Sequence, residues 1–331
     1  MTVAEIVGAF PRLSVLVVGD ICLDHWCTYD PAEAEPSRET GIPRLAVTST
    51  TSTPGAAGTV ANNLVTLGAR EVAVMGVVGD DGHGYELMRE LSHRSIGTEL
   101  ICRTPLIRTF TYTKLINGRS GEEDRPRVDF INTAPLPPSI EQELVDRVNN
   151  HAKHFDVVII SDQAETTAGG VVTPLLREAL SQVARTQPER VFWADSRRRL
   201  EHFRHITLKP NEDEVRSAFE RAALSSFSQL RAHTHAPALI VTSGGTGAKV
   251  TTAAGEWHVP TRTVAQPVDI CGAGDSFNAG GALTLAITGD PLQAAYVGNL
   301  VASITIMQKG TGSATPEQVI AAALEVPPPA C

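Results

Sequence analysis

Long apolar runs are missing from these 331 residues: no stretch approaches the roughly 18 consecutive apolar positions of a membrane helix. Basic excess is missing too. Lys plus Arg number 28 against 37 Asp plus Glu, a net charge of −9, which is a poor match to non-specific nucleic-acid binding. The first ten residues carry Glu5 and no basic cluster, so no signal peptide is expected and a cytoplasmic location follows. Cysteine is sparse and odd in number, at 22, 27, 102, 271 and 331. No two stand at zinc or redox spacing, which reads as reduced cytosolic thiols. The pairs His151/His154, His202/His205 and His233/His235 lie in polar segments without a second ligand pair, so no zinc site is expected. Two phosphate-binding signatures are absent: no P-loop occurs, and no Gly-x-Gly-x-x-Gly follows the first apolar run, which argues against a dinucleotide enzyme. Internal repeats and low-complexity tracts are also lacking. At 42% hydrophobic and 20% charged residues, disorder and collagen-like repeats are excluded.

What is present is an alternation. Short β-branched runs predict strands at Leu13–Val18, Val72–Val78, Val157–Ile160, Val191–Ala194, Ile206–Leu208 and Leu239–Thr242. Between them, helical patterns run over Val60–Leu67, Tyr85–Ser95, Ile140–Lys153, Pro174–Arg185 and Glu212–Ala222, and then over Ser276–Thr288 and Pro291–Met307. That order predicts βαβ units and a buried, mostly parallel sheet. Polar residues follow each strand: Gly19-Asp20, Gly79-Asp80-Asp81, Ser161-Asp162, Asp195, Lys209-Pro210-Asn211 and Ser243-Gly244-Gly245. Residues of these types cap helices and make turns, but open α/β sheets also bind ligands at these strand ends. Two stretches, 29–53 and 103–130, break the alternation. They are rich in Thr, Pro and Arg, and Thr109–Leu115 alternates like a half-exposed strand. Both are expected to form a small β-sheet lid that covers a ligand. The tail Pro327–Cys331 is expected to fray.

The segment Asp269-Ile270-Cys271-Gly272-Ala273-Gly274-Asp275 runs from small residues straight into a helix. Backbone N–H groups of Gly272, Ala273 and Gly274 at a helix N-terminus suit an anion, including charge developing on a transferring phosphoryl group. Asp275 then stands where a carboxylate takes a proton from a hydroxyl, or simply caps the helix.

This segment resembles the Asp-Thr-x-Gly-Ala-Gly-Asp signature of the ribokinase-like (PfkB) carbohydrate kinases. Further motifs resemble that family in the same order: Gly19–Asp24, Pro54-Gly55-Ala56-Ala57 with Val60, Ala61 and Asn63, Asn211–Glu214, and Thr242–Gly247. The resemblance spans nearly the whole chain and implies one kinase domain over 1–331, with a three-layer α/β/α core, a mostly parallel central sheet and a β lid. It implies Asp275 as general base and Gly272, Ala273 and Gly274 as anion hole. Asp24, Gly55, Ala56, Thr59 and Asp162 are implied on the sugar side. Asn211, Glu214, Ser243, Gly245, Gly247 and Asn299 are implied on the ATP side, with Glu214 serving Mg²⁺. Asp269 and Ser313 resemble positions near a monovalent cation, K⁺. Within the family, residues 16–24, 54–57, 67–69, 127–130, 161–162 and 208–211 are similar to the D-glycero-β-D-manno-heptose-7-phosphate kinase branch, which implies transfer to C1 of a heptose 7-phosphate. A homodimer through the lid is expected as well.

The sugar-side motifs depart from that pattern. Ala56 replaces a glycine, Thr59 an asparagine, and Gln163-Ala164-Glu165-Thr166 a Tyr-Gly-Lys-Gly run, while Ile270 stands in place of the signature threonine. A non-catalytic sugar- or nucleotide-binding protein and a nucleoside kinase of the same fold are the alternative readings.

Overall fold

Strand β1 (Ser14–Gly19) is buried along its whole length. Its side chains divide between two cores: Val15 and Val17 join one, Leu16 and Val18 the other. That division is the two-residue period of a strand covered on both faces. The structure, a computed structural model, describes residues 1–166 and 168–326. The expectation for Pro327–Cys331 therefore lies outside the described residues.

The remaining strands, in chain order, are β2 (Ile21–Tyr29), β3 (Val47–Ala56), β4 (Glu71–Gly79), β5 (Gly97–Thr104), β6 (Phe110–Asn117), β7 (Val128–Phe130), β8 (Val157–Asp162), β9 (Val191–Ser196), β10 (Thr207–Leu208), β11 (Leu239–Thr242), β12 (Ala248–Thr251) and β13 (Glu256–Val259). Together with β1, eight of them form one nine-stranded sheet in the order β13-β12-β11-β10-β9-β8-β1-β4-β5. Every neighbouring pair from β11 to β5 is parallel, and β12 and β13 close the far edge antiparallel. Helices Ala57–Thr66, Ala273–Thr288 and Pro291–Thr305 pack on one face, and Pro138–His151 and Pro174–Thr186 on the other. This is the buried, mostly parallel sheet that the alternation predicts, within the three-layer α/β/α core that the resemblance implies. No helix among the described residues is long and apolar enough to cross a membrane.

The other four strands make a separate sheet, ordered β3-β2-β6-β7. Its extent corrects the expected stretches. Only Asp20 separates β1 from β2, so the chain passes directly from the core into the small sheet, well before residue 29. Residues 103 and 104 belong to β5 of the large sheet instead. The reason lies in pairing. The run Cys22–Tyr29 is held on both sides, antiparallel by β3 and parallel by β6, and neither pairing is visible from local pattern.

Candidate functional site

Helix Ala273–Thr288 begins at Gly272, whose φ of 78° lies in the left-handed region. Glycine adopts that conformation without strain. A Cβ there would also sit 3.2 Å from Thr311 Cγ2 and 3.3 Å from Thr59 Cγ2. The turn is therefore wedged between two threonines and projects its N–H groups outward. Among the described residues, the N–H groups of Gly272, Gly274 and Asp275 have no partner. The Ala273 N–H is turned inward and donates to the Ile270 carbonyl at 3.2 Å. Gly272, Gly274 and Asp275 thus present open amides, not Gly272, Ala273 and Gly274 as expected. Closing the turn consumes the middle donor.

This turn is the partition between two cavities. Gly272 and Asp275 face a cavity of about 170 Å³ under the small sheet, which is also lined by Asp24, Ala56, Thr59 and Lys114. Ala273 and Gly274 face a cleft of about 470 Å³ with Lys209, Asn211, Gly245, Gly247 and Asn299. Residues 250 positions apart in the chain meet here because β2 and the helix start both lie at the carboxyl ends of the central strands.

On the first side, Asp24 lies on β2, and Gly55 on β3 pairs with Cys22, two residues before it on the same face of the strand. A Cβ at Gly55 would lie 2.7 Å from Asp24 Oδ2, so the missing side chain makes room for that carboxylate. Burial pushes the Asp24 pKa up to about 6, against the pull of Lys114 and Arg127. On the sugar-side role that the resemblance implies for Asp24, Gly55→Ala is expected to displace that carboxylate and raise the sugar KM about tenfold with the ATP KM unchanged. Steady-state kinetics with each substrate varied checks this.

Ala56 is strained, with φ 52° and ψ −118°. The family glycine it replaces takes that conformation freely. Ala56→Gly is expected to stabilise the fold by about 1 kcal/mol, the relief of strain outweighing the added chain entropy. A urea denaturation midpoint that falls would refute this. Thr59 is buried and donates its hydroxyl to the Pro54 carbonyl at 3.3 Å.

Asp275 is strongly perturbed by its surroundings. Burial, then the Asp195 carboxylate and more weakly Asp24, push its pKa up to about 7, while Lys209 and Arg197 pull it down. Behind it runs a buried network. Lys209 Nζ donates to Asp195 Oδ2 at 2.6 Å, Asn278 Nδ2 donates to the same oxygen at 2.6 Å, and Trp193 Nε1 donates to Asn278 Oδ1 at 2.9 Å. A Cβ at Gly274 would sit 3.2 Å from Lys209 Nζ, so this ammonium lies directly beneath the open amides. The sequence reading assigned Lys209 no role. The sequence showed only a polar residue after a strand; the pairing of β9 and β10 through Leu208 and Ala194 is what sets Lys209 beside Asp195. Gln163 and Glu165 of the expected sugar-side motifs also line the smaller cavity, as do Arg197, Trp26, Tyr112 and Cys271, which were missed as cavity residues.

Several expected residues are engaged elsewhere. Asp162 is buried away from the cavity, accepting from Ser196 Oγ at 2.6 Å and pairing with Arg199 at 2.8 Å. Burial and the Asp20 carboxylate push its pKa up to about 6, against Arg199. Ser243 spends its hydroxyl on Glu212 Oε1 at 2.7 Å, and the neighbouring Gly244, Gly245 and Gly247 line the cleft in its place. Asn299 donates to the Val259 and Pro260 carbonyls at 3.2 and 3.3 Å, bracing the cleft wall.

Asn211 and Glu214 form a reciprocal capping box at the start of helix Glu212–Ala222, with bonds of 2.8 and 2.9 Å. The box uses Glu214 Oε2 and leaves Oε1 unbonded among the described residues. Burial and the Asp195 carboxylate raise the Glu214 pKa, against Lys209. A carboxylate held near like charge and bonded to Asn211 of the cleft lining fits Mg²⁺, an ion that keeps several waters and takes the rest of its shell from phosphates. The potassium pair fits less well. Asp269 Oδ1 accepts from Cys271 N–H at 2.9 Å and Oδ2 from Gly310 N–H at 3.1 Å. Ser313 bonds the Gln308 side chain through both its N–H and its carbonyl. Each Asp269 oxygen already has a donor on it.

The chain is similar to known proteins. A family model described as "pfkB family carbohydrate kinase" matches residues 13–318. The "Bifunctional protein HldE" of Caulobacter sp. (strain K31) is 32% identical over 96% of this chain. The chain spans 64% of that relative's length, and 62% of a similarly named relative from Trichlorobacter lovleyi. A ribokinase from Thermotoga maritima superposes with a TM-score of 0.68 at 19% identity, over 94% of this chain and 99% of that one.

Proposed function

Because the chain belongs to the pfkB family of carbohydrate kinases, we propose that it transfers a phosphoryl group from ATP to a hydroxyl of a phosphorylated sugar, with heptose 7-phosphate at C1 as the acceptor. One observation carries the reading: a turn of open amides separates two cavities, with Asp275 on the acceptor side and Lys209 on the nucleotide side. Phosphoryl transfer asks for positioning and charge stabilisation, and this geometry offers both.

ATP bound with Mg²⁺ supplies the phosphoryl group and part of its charge neutralisation. The chain's own residues do the rest. The N–H groups of Gly272, Gly274 and Asp275 stabilise negative charge at the helix N-terminus. Lys209 adds a fixed cation beneath them. Asp275 accepts the acceptor's proton, and a pKa near 7 suits that task because the base is both present and strong at neutral pH. Asp24 orients sugar hydroxyls from the opposite wall. Gly245 and Gly247 line the phosphate and ribose side, Asn299 the adenine side.

The acceptor's own phosphate has cations available. Lys114, Arg127 and Arg197 line the cavity. Arg127 is held by Asp129 and Arg197 by Glu165, whereas Lys114 has no ion-pair partner among the described residues. Similarity of residues 16–24, 54–57 and 208–211 to the heptose 7-phosphate kinase branch supports the same acceptor. Exposed Val47, Val128 and Phe130 on the two edge strands of the small sheet support a homodimer through this sheet. A single-chain mass by light scattering would overturn that part.

Phosphorus NMR of ATP, Mg²⁺ and heptose 7-phosphate, run beside ribose, fructose 6-phosphate and inosine, tests the acceptor. A second phosphate on C1 of the heptose is the expected product. Transfer to inosine alone would make the protein a nucleoside kinase, and binding without transfer to any of them a non-catalytic member of the fold.

A further inference from the structure

Asp20 is buried between β1 and β2 and lies outside the proposed contacts. Its Oδ2 accepts from the Gln163 and Ala164 N–H groups, each at 2.8 Å, and its Oδ1 from the Val171 N–H at 2.7 Å. Its own N–H donates to the Ser161 carbonyl at 2.9 Å, and its carbonyl accepts from Ala57 N–H at 3.0 Å. One residue thus joins the end of β1, the residues after β8 and the start of helix Ala57–Thr66. A hydroxyl or a single carbonyl cannot do this. Two separate points of the backbone need two oxygens, and only a carboxylate accepts at both ends.

The backbone held this way carries one wall of the acceptor cavity. Gln163 and Glu165 both line it. Gln163 Oε1 accepts from Arg197 Nε at 2.7 Å, and Glu165 pairs with the same guanidinium. Arg197 in turn lines the cavity beside Asp275. Thr166 is anchored independently, its carbonyl accepting from Arg199 Nη2 at 2.8 Å while Nη1 of the same side chain pairs with Asp162. Loosening the Asp20 end therefore leaves the other end fastened.

We infer that Asp20 is a positioning residue for phosphoryl transfer: by fixing the backbone of residues 163, 164 and 171 it sets the acceptor-side wall and holds Arg197 toward Asp275. The inference rests on the acceptor site proposed above. The charged groups around Asp275 are Asp195, Lys209, Arg197 and Asp24, and Arg197 is the one of these four that Asp20 reaches.

The test compares wild type, Asp20→Ala and Asp20→Asn as full-length protein. Amide hydrogen exchange reads the clamp without any activity. In Asp20→Ala the amides of 163, 164 and 171 lose protection. In Asp20→Asn the single carbonyl oxygen keeps the pair at 163 and 164, so only 171 is released. With the acceptor identified by the NMR panel, Asp20→Ala raises the acceptor KM about tenfold or more, with the ATP KM within about twofold. Its acid limb in kcat moves to higher pH, because a displaced Arg197 no longer favours the Asp275 anion. Asp20→Asn recovers most of the acceptor KM. Unchanged protection of 163, 164 and 171, or equal rises in both KM values, overturns the inference. If Asp20→Ala does not fold, the selective release of 171 in Asp20→Asn still decides it. Absence of transfer by wild type would count against the proposed activity alone, since the exchange result reads the clamp directly.

Discussion

Asp275→Asn is expected to lower kcat by about 10²-fold or more while ATP still binds, because the amide keeps the shape of the turn but cannot take a proton. The wild-type pH dependence follows from the same group. Its pKa, held up to about 7 chiefly by burial and then by Asp195, places the acid limb of kcat near neutrality, with turnover falling as pH drops below it. The variant's residual rate should show no such limb.

Stability should move the other way. An aspartate whose folded pKa lies above its ordinary 3.8 binds its proton more tightly in the folded state. The stability contributed by the protonated form is complete below pH 3.8 and is lost as pH rises through about 7. Asp275→Asn removes that loss, so the variant should unfold at a higher urea concentration than wild type at pH 8, with the gap closing at pH 4. A kcat near wild type would refute the base assignment, and an acid limb that persists in the variant would move it to another group.

The second large effect concerns Lys209. Its side chain is 4% exposed, and that of Asp195, its partner at 2.6 Å, is 7% exposed. Lys209→Met leaves Asp195 with the Asn278 amide and no cation. Stranding a buried carboxylate costs about 3 kcal/mol or more, so the urea midpoint should fall clearly. Turnover should fall as well, since the cation beneath the open amides is gone. The acid limb should shift to higher pH, because Lys209 opposes the rise in the Asp275 pKa. The double variant Lys209→Met with Asp195→Asn separates the two roles. Removing both charges restores most of the stability but not the turnover. If the double variant also regains kcat, Lys209 serves the fold alone.

The capping box at Asn211 and Glu214 shows how one motif is read twice. By local rules the pair is an N-terminal cap, and the structure contains that cap. The rise in the Glu214 pKa comes from burial and from Asp195, a residue on strand β9. Local sequence announces the cap; the second duty arises only where β9 and β10 run side by side. The three consecutive arginines make the same point. Arg197 faces the acceptor cavity, Arg198 bonds the Glu165 carbonyl and Arg199 pairs with Asp162. Nothing in the run itself distinguishes them, because which direction each side chain takes depends on the β8–β9 register.

Alternation of short β-branched runs with helical patterns was enough to determine the parallel core, and in helix Glu212–Ala222 and strand β11 even the ends agree. Both depend on neighbours a few residues away, so they are written locally. The Gly272–Asp275 turn was legible for a similar reason: glycines beside an acidic residue at a helix start carry their chemistry in the backbone. Tertiary structure alone decided which amides stay open, that Asp24 rides on a strand of the small sheet, that Asp162 turns away from the cavity and that Lys209 lies under the turn. Each of those depends on contacts between segments distant in sequence, where burial and pairing outweigh local preference.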